Sequence, residues 1–137
     1  MSPFATLRRD RRDPGFRAPV KPVAEQEHGS WVGRRLICAA CSHPVTTEEQ
    51  RIDMKGHHEH RCVNPDGVTF HIGCFRQAPG CVTHGVPTAE FTWFPSFAWN
   101  YALCAGCATL LGWRYHGGDA ATFFGLILNR LATERSH

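Results

Sequence analysis

The stretch Phe91–Tyr115, FTWFPSFAWNYALCAGCATLLGWRY, decides how this chain is read. It carries Cys104 and Cys107 as a Cys-x-x-Cys pair, and three of the chain's four tryptophans, Trp93, Trp99 and Trp113, flank that pair. One other such pair exists, Cys38 and Cys41, with sixty-two residues between the two. Each pair presents two sulfurs about one tetrahedral edge apart, so two pairs complete a closed four-thiolate zinc site. A closed site has no exchangeable water to activate and is structural. One Zn²⁺ is therefore expected on Cys38, Cys41, Cys104 and Cys107, contributing on the order of 10 kcal/mol to folding.

Working outward, Pro95 separates Trp93 from Trp99, and proline is excluded from central strands. Trp93 therefore falls on a loop or short edge piece, and Phe97–Leu103 is a strand entering the second knuckle. Leu110–Tyr115 leaves the knuckle as a strand, and Gly117-Gly118 turns the chain. Symmetric pairing places Trp99 opposite Gly112 or Trp113, and only the second register puts both indoles on one face. Tyr115 shares the face of Trp113, because strand side chains repeat every two residues. The run Thr122–Leu131 fits helix or strand by period alone. Gly125 with Phe123, Phe124 and Ile127 favours a strand closing the core.

Upstream, order is expected to begin near Trp31, with Arg35-Leu36-Ile37 leading into Cys38 as a short strand. His43 is a rival metal ligand, but with four cysteines available it reads as a loop residue. Thr46–Gln50 is polar and resembles a helix start, too short to assign. His57-His58-Glu59-His60 looks like a metal cluster, yet alternating polar residues before a hairpin describe a half-exposed strand whose side chains diverge. The hairpin turn is well specified: Asn64 caps, Pro65 fixes φ, and Gly67 closes the turn between His60–Val63 and Val68–Phe75. Cys81–His84 reads as a further short strand before a loop at Gly85-Val86-Pro87.

At 137 residues the chain is one domain's worth. Two parts are expected, an irregular basic arm over residues 1–30 and a folded domain over residues 31–137. Net charge is +3, but residues 1–35 hold eight Lys/Arg against four Asp/Glu, and the remainder is slightly acidic. The folded part thus lacks the basic excess that phosphate binding requires, so no specific nucleic-acid partner is expected. No run of about 18 apolar residues is present, so no membrane partner is expected, and no secretory signal is visible. Seven cysteines, four of them in metal-type pairs, then suit a reducing cytoplasmic setting. Cys62, Cys74 and Cys81 read as small buried hydrophobes.

On these residues the chain from about Arg34 to Leu131 resembles the CULT domain, the thalidomide-binding domain of cereblon, and more closely the stand-alone bacterial cereblon-like proteins. The matching motifs are the two Cys-x-x-Cys pairs, Asn64-Pro65, Phe91-Thr92-Trp93-Phe94, Trp99, Leu111-Gly112-Trp113-x-Tyr115 and Phe124-Gly125-Leu126. The resemblance implies a mainly β fold, the β-tent, with two antiparallel sheets at an angle pinned by the zinc. It implies that Trp93, Trp99 and Trp113 wall an aromatic cage completed by Tyr115, with Asn64 on a flap above it. The family's ligands are cyclic imides such as glutarimide, or heterocycles such as uridine. Carried over, the Phe91 carbonyl accepts the imide N–H and the Trp93 N–H donates to an imide carbonyl. Thr92 stands where the family commonly has serine, and Phe91 where the eukaryotic proteins have histidine. The eukaryotic protein's ubiquitin-ligase partners need further domains that this chain does not supply.

The reading is a non-enzymatic binder of a small cyclic imide, possible also as a cyclic imide at a protein C-terminus. A second reading, a cage for quaternary ammonium groups, relies on cation–π attraction and often a carboxylate, and Phe91–Tyr115 contains no Asp or Glu. A third is an enzyme akin to zinc-containing methionine sulfoxide reductases. Their nucleophilic cysteine follows the second pair, and no cysteine follows Cys107 here.

Overall fold

The computed structural model describes residues 33–118 and 121–134. The expected basic arm over residues 1–30, and the expected start of order at Trp31, lie outside the described residues.

Nine strands are described: β1 Arg35–Cys38, β2 Pro44–Thr47, β3 Glu59–Val63, β4 Thr69–Phe75, β5 Cys81–Thr88, β6 Phe97–Cys104, β7 Leu110–Gly117, β8 Thr122–Ile127 and β9 Leu131–Thr133. They form two antiparallel sheets, a small one in the order β2-β1-β9 and a large one in the order β3-β4-β8-β7-β6-β5. The mainly β architecture expected above is what is found. Among the described residues, no helix is long and apolar enough to cross a membrane.

Period-two alternation gives the large sheet two different faces. Along β6, Trp99, Tyr101 and Leu103 enter one core, while Ala102 and Cys104 enter the other. Along β8, Phe123 and Ile127 join the first core, and Leu126 joins the second with Phe124 packed against it. The first core is aromatic and includes Phe94, Trp113 and Tyr115. The second lies against the small sheet through Cys38 and Val45, with Leu36 and Leu131 packed at its border.

The hairpin at Asn64 forms for the reasons its residues suggest. The Asn64 carboxamide oxygen accepts from the Asp66 and Val68 amides at 3.0 and 2.8 Å, and Gly67 takes the left-handed φ of 83°. Val63 then pairs with Thr69.

Three expectations need correction. Trp99 pairs with Tyr115, and Tyr101 with Trp113, not Trp99 with Gly112 or Trp113. The second knuckle extends through Ala108 and Thr109, and a bulge between the Ala102 and Leu103 positions gives β7 one extra residue. Trp99 and Trp113 nevertheless enter the same core, because the pairs shift together by two. Second, Gly85-Val86-Pro87 lies inside β5, an edge strand whose register slips between His84 and Thr88. Edge strands tolerate proline because its missing N–H faces no neighbour. Third, Thr122–Leu131 is not one strand. β8 ends at Ile127, a single helical turn Leu128–Arg130 makes a corner, and β9 crosses into the small sheet.

The bulge depends on Gly112. A Cβ there would run into the Gly125 carbonyl and lie 2.9 Å from the Leu126 Cα, both on the neighbouring strand. Gly118 by contrast has open space around its Cβ position. Gly112→Ala is therefore expected to destabilise the domain by roughly 2 kcal/mol or more, and Gly118→Ala to change stability by less than about 0.5 kcal/mol. Urea unfolding followed by tryptophan fluorescence measures both, and equal midpoints for the two variants would contradict this role of Gly112.

Candidate functional site

The four paired cysteines converge from both sheets. Cys38 ends β1 of the small sheet and Cys104 ends β6 of the large one. All four sulfurs lie within 4.8 Å of one another, with Cys38 to Cys107 at 3.8 Å and Cys41 to Cys104 at 3.5 Å. A tetrahedral zinc with Zn–S bonds of about 2.3 Å needs sulfurs about 3.8 Å apart, so the donor set fits a single ion of that kind. His43 is not in the group.

The two knuckles have the same backbone design. In the first, the Cys38 N–H donates to His43 O at 2.8 Å and the Ser42 N–H to Cys38 O at 2.7 Å. In the second, the Cys104 N–H donates to Thr109 O at 2.8 Å and the Ala108 N–H to Cys104 O at 2.8 Å. Ser42 and Ala108 take left-handed φ of 68° and 66° at the equivalent position after the second cysteine. Neither is glycine, so each knuckle holds a residue in a disfavoured conformation. Gly106 lets the knuckles meet, because a Cβ there would sit 2.9 Å from His43 Cβ and 3.2 Å from Cys41 Sγ. Burial pushes the Cys107 thiol up, but hydrogen bonds to Thr109 and to the Cys41 and Cys38 thiols outweigh it and hold the group at about 7.

The histidines of His57–His60 serve other contacts. The His58 ring meets the Ile52 carbonyl at 3.1 Å, and the His60 ring meets the His57 carbonyl at 3.0 Å. Among the described residues they form no group of metal-ligating side chains.

On the opposite face of the large sheet lies the aromatic cluster. Trp93, on the loop before β6, meets Trp113 of β7 at 4.9 Å between ring centroids and 79° between planes, two indole walls at a near right angle. Trp99 lies in the same cluster, 5.3 Å from Tyr101. Tyr115 is packed between Phe94, edge-on at 4.8 Å, and Phe123, stacked at 5.0 Å. Trp99, Trp113 and Tyr115 are buried, and Trp93 is half-buried. Two of the indole nitrogens are tied down: Trp93 Nε1 donates to Val63 O at 3.0 Å, and Trp99 Nε1 to Glu90 O at 2.8 Å. The Asn64 hairpin thus lies beside Trp93, with Asn64 itself buried in its turn.

The Phe91–Phe94 loop is fixed by its own polar groups. The Thr92 N–H donates to Ala89 O at 3.2 Å, the Thr92 hydroxyl donates to Phe94 O at 3.1 Å, and the Phe94 N–H donates back to that hydroxyl at 3.3 Å. Phe91 takes a left-handed φ of 59° and is 49% exposed. Among the described residues its carbonyl has no hydrogen-bond partner. A non-glycine residue held at a left-handed φ is the kind of local cost that functional sites carry.

Sequence reasoning missed Phe70 and Lys55. Phe70, on β4, packs against both Trp113 at 5.4 Å and Trp93 at 6.1 Å. Its position in a β-rich run was readable, but its neighbours come from strands far along the chain. The Lys55 ammonium donates to Trp93 O at 3.3 Å. Nothing in the local sequence marks that contact.

The remaining thiols are buried. Burial pushes Cys62 up to about 11, with the Lys55 charge opposing it, and pushes Cys74 up to about 12, aided by Cys62 and Asp53. Cys81, wholly enclosed, is pushed up further by burial and then by Cys38.

No family model matches the chain. Part of it is similar to the protein cereblon of Xenopus tropicalis, 36% identical over 53 residues, which is 39% of this chain and 12% of that protein. The cereblon of Gallus gallus is 34% identical over 53 residues, with the same coverage of each chain. That of Drosophila erecta is 32% identical over 69 residues, 46% of this chain and 12% of that protein. The matched stretches thus span about an eighth of the length of these relatives. Together they support a cereblon-related domain.

Two outcomes follow for the thiols. Because metal binding needs four thiolates, protons compete with zinc, and the zinc-loaded protein is expected to release its metal and unfold on acidification or on chelation. A colorimetric zinc indicator and circular dichroism read the two events, and metal loss without unfolding would contradict a structural role. Groups with raised pKa stay neutral at pH 7, so iodoacetamide is expected to label Cys62 and Cys74 slowly in the folded protein, faster as pH rises towards 11. Mass spectrometry of peptides gives the rates, and rapid labelling at pH 7 would contradict it.

Proposed function

We propose that this cereblon-related domain is a non-enzymatic binding module whose Trp93, Trp99 and Trp113 enclose a small neutral cyclic imide or a related ring such as uridine. The observation that carries the reading is the loop beside the indole corner. There Phe91, whose carbonyl has no hydrogen-bond partner among the described residues, holds a left-handed φ two residues before Trp93, whose indole meets that of Trp113 at 79°. An imide presents one N–H donor flanked by two acceptors, and its planar ring gains from burial against indole faces. The Phe91 carbonyl would take the N–H and the Trp93 N–H would serve one ring carbonyl. Thr92 shapes the loop through its hydroxyl, and Asn64 holds the hairpin beside Trp93 as a flap. Tyr115, packed between Phe94 and Phe123, would complete the cage. Zinc would hold the two sheets and take no part in recognition.

The same reading makes the domain a receptor for a free metabolite, or for a cyclic imide at a protein's C-terminus. Ubiquitin-ligase partners form no part of it. A sulfoxide reductase needs an activated thiol, and the three cysteines outside the metal group are buried with raised pKa values.

Calorimetry with glutarimide, uridine and a trimethylated lysine peptide tests the proposal. A ligand of about eight heavy atoms is expected to bind near micromolar. Trp99→Ala, checked for fold and zinc content, is expected to weaken glutarimide at least tenfold, about 1.4 kcal/mol. Unchanged affinity in that variant, or binding of the trimethylated peptide alone, would overturn the reading.

A further inference from the structure

Lys55 projects from a rigid turn towards the same loop. Met54–His57 is closed by two backbone bonds, the Met54 N–H to His57 O at 2.8 Å and the His57 N–H to Met54 O at 3.1 Å. Its two central residues, Lys55 and Gly56, have φ of 55° and 85°, the left-handed pair of a type I′ turn. Met54 packs against the aromatic cluster and anchors the turn there. From this position the Lys55 ammonium sits 3.3 Å from the Trp93 carbonyl and 5.3 Å from the centre of the Phe94 ring. It therefore clamps the Trp93–Phe94 peptide from the carbonyl side, while the Thr92 hydroxyl takes its N–H.

Among the described residues the ion pairs are Arg35 with Glu134 and His71 with Glu59, and neither involves Lys55. Asp53, two residues away in sequence, makes no ion pair with it. The Lys55 charge is felt inward as well, where it opposes the effect of burial on Cys62.

Resting on the imide-cage reading, we infer that Lys55 sets the charge preference of the site: the cage selects rings whose attached chain is neutral or acidic next to the ring and rejects cationic ones. An ammonium that makes no ion pair among the described residues, bonded to the carbonyl of the loop that meets the ligand, raises the potential on that side of the site. It is opposite in sign to the exposed Glu90 carboxylate one residue before Phe91. Solvent and salt screen it, so the effect is several-fold in affinity and salt-sensitive. The natural ligand would then be an imide ring borne on an acidic or uncharged segment. Lys55 itself acts through this field and through the Trp93 carbonyl, as a specificity and positioning residue.

The test uses α-aminoglutarimide acylated with acetic acid, succinic acid or β-alanine, which carry no charge, a negative charge and a positive charge on closely matched linkers. Affinities are measured for the zinc-loaded wild-type chain, Lys55→Met and Lys55→Arg. The wild type is expected to bind the succinyl compound roughly threefold to tenfold tighter than the β-alanyl compound. That ratio is expected to fall to within about twofold in Lys55→Met, persist in Lys55→Arg, and shrink in about 0.5 M salt. Affinity for the neutral acetyl compound is expected to fall in Lys55→Met, which loses the bond to the Trp93 carbonyl, and to be largely kept in Lys55→Arg, so the charge preference is read as the succinyl-to-β-alanyl ratio within each variant. A charge ratio in Lys55→Met equal to that of the wild type, or no ratio in the wild type, would overturn the role of Lys55 while leaving the cage intact. Failure of the acetyl compound to bind the wild type would instead overturn the cage reading and this inference together.

Discussion

The convergence of four cysteine sulfurs carried by both sheets, a donor set that fits one zinc ion, is the constraint around which this structure is arranged. The small sheet has three short strands and too little apolar surface to be stable alone. It meets the large sheet through a modest core of Cys38, Val45, Phe75, Leu111, Leu126 and their neighbours. A metal site contributing on the order of 10 kcal/mol is comparable to the entire stability of a domain this size. An ion held by these sulfurs would join the ends of β1 and β6, one strand from each sheet. Polypeptide contacts reinforce the same junction: the Arg130 carbonyl accepts from the Ala39 amide at 3.0 Å, and the Arg130 guanidinium donates to Leu110 O at 2.9 Å.

That clamp also places the aromatic cluster. The hairpin β6–β7 carries the second knuckle at one end, with Trp99 and Trp113 beyond it on the face away from the small sheet. One strand pair thus has a structural job on one face and a candidate recognition surface on the other. The division is a direct result of period-two alternation, and the bulge at Gly112 keeps it in phase. Without the extra residue, Trp113 would turn towards the small sheet and the indole corner would not exist.

The loop that meets the ligand in the proposed reading is rigid by a different means. It has no strand neighbours of its own, so its polar groups are held by Thr92, Lys55, Ala89 and Trp99. This leaves a preorganised edge with an idle carbonyl at Phe91, which spares a ligand the cost of ordering the site. An uncharged imide matches a backbone edge better than it matches charged side chains. The lysine at the rim adds a preference for what the ring is attached to.

Much of this was legible in the amino-acid sequence, because it rests on local chemistry. Two Cys-x-x-Cys pairs name the four cysteines that converge, since two residues of spacing set the sulfur separation within each pair whatever the fold. Asn64-Pro65-Asp66-Gly67 names its turn, since each residue has one backbone preference to satisfy. Pro95 separates Trp93 from the strand that holds Trp99. What the sequence could not decide is anything set by pairing between distant segments. The register of β6 on β7 depends on a bulge that only the approach of Gly112 to Gly125 explains. The break of Thr122–Leu131 into two strands depends on β1 offering a free edge to β9. Phe70 and Lys55 reach the aromatic loop from β4 and from the turn before β3, and no spacing in the chain records their contacts. Short-range features, the cysteine pairs and the turn, are written in the residues because they follow from neighbours in the chain; contacts brought together across the fold are fixed only when the sheets close.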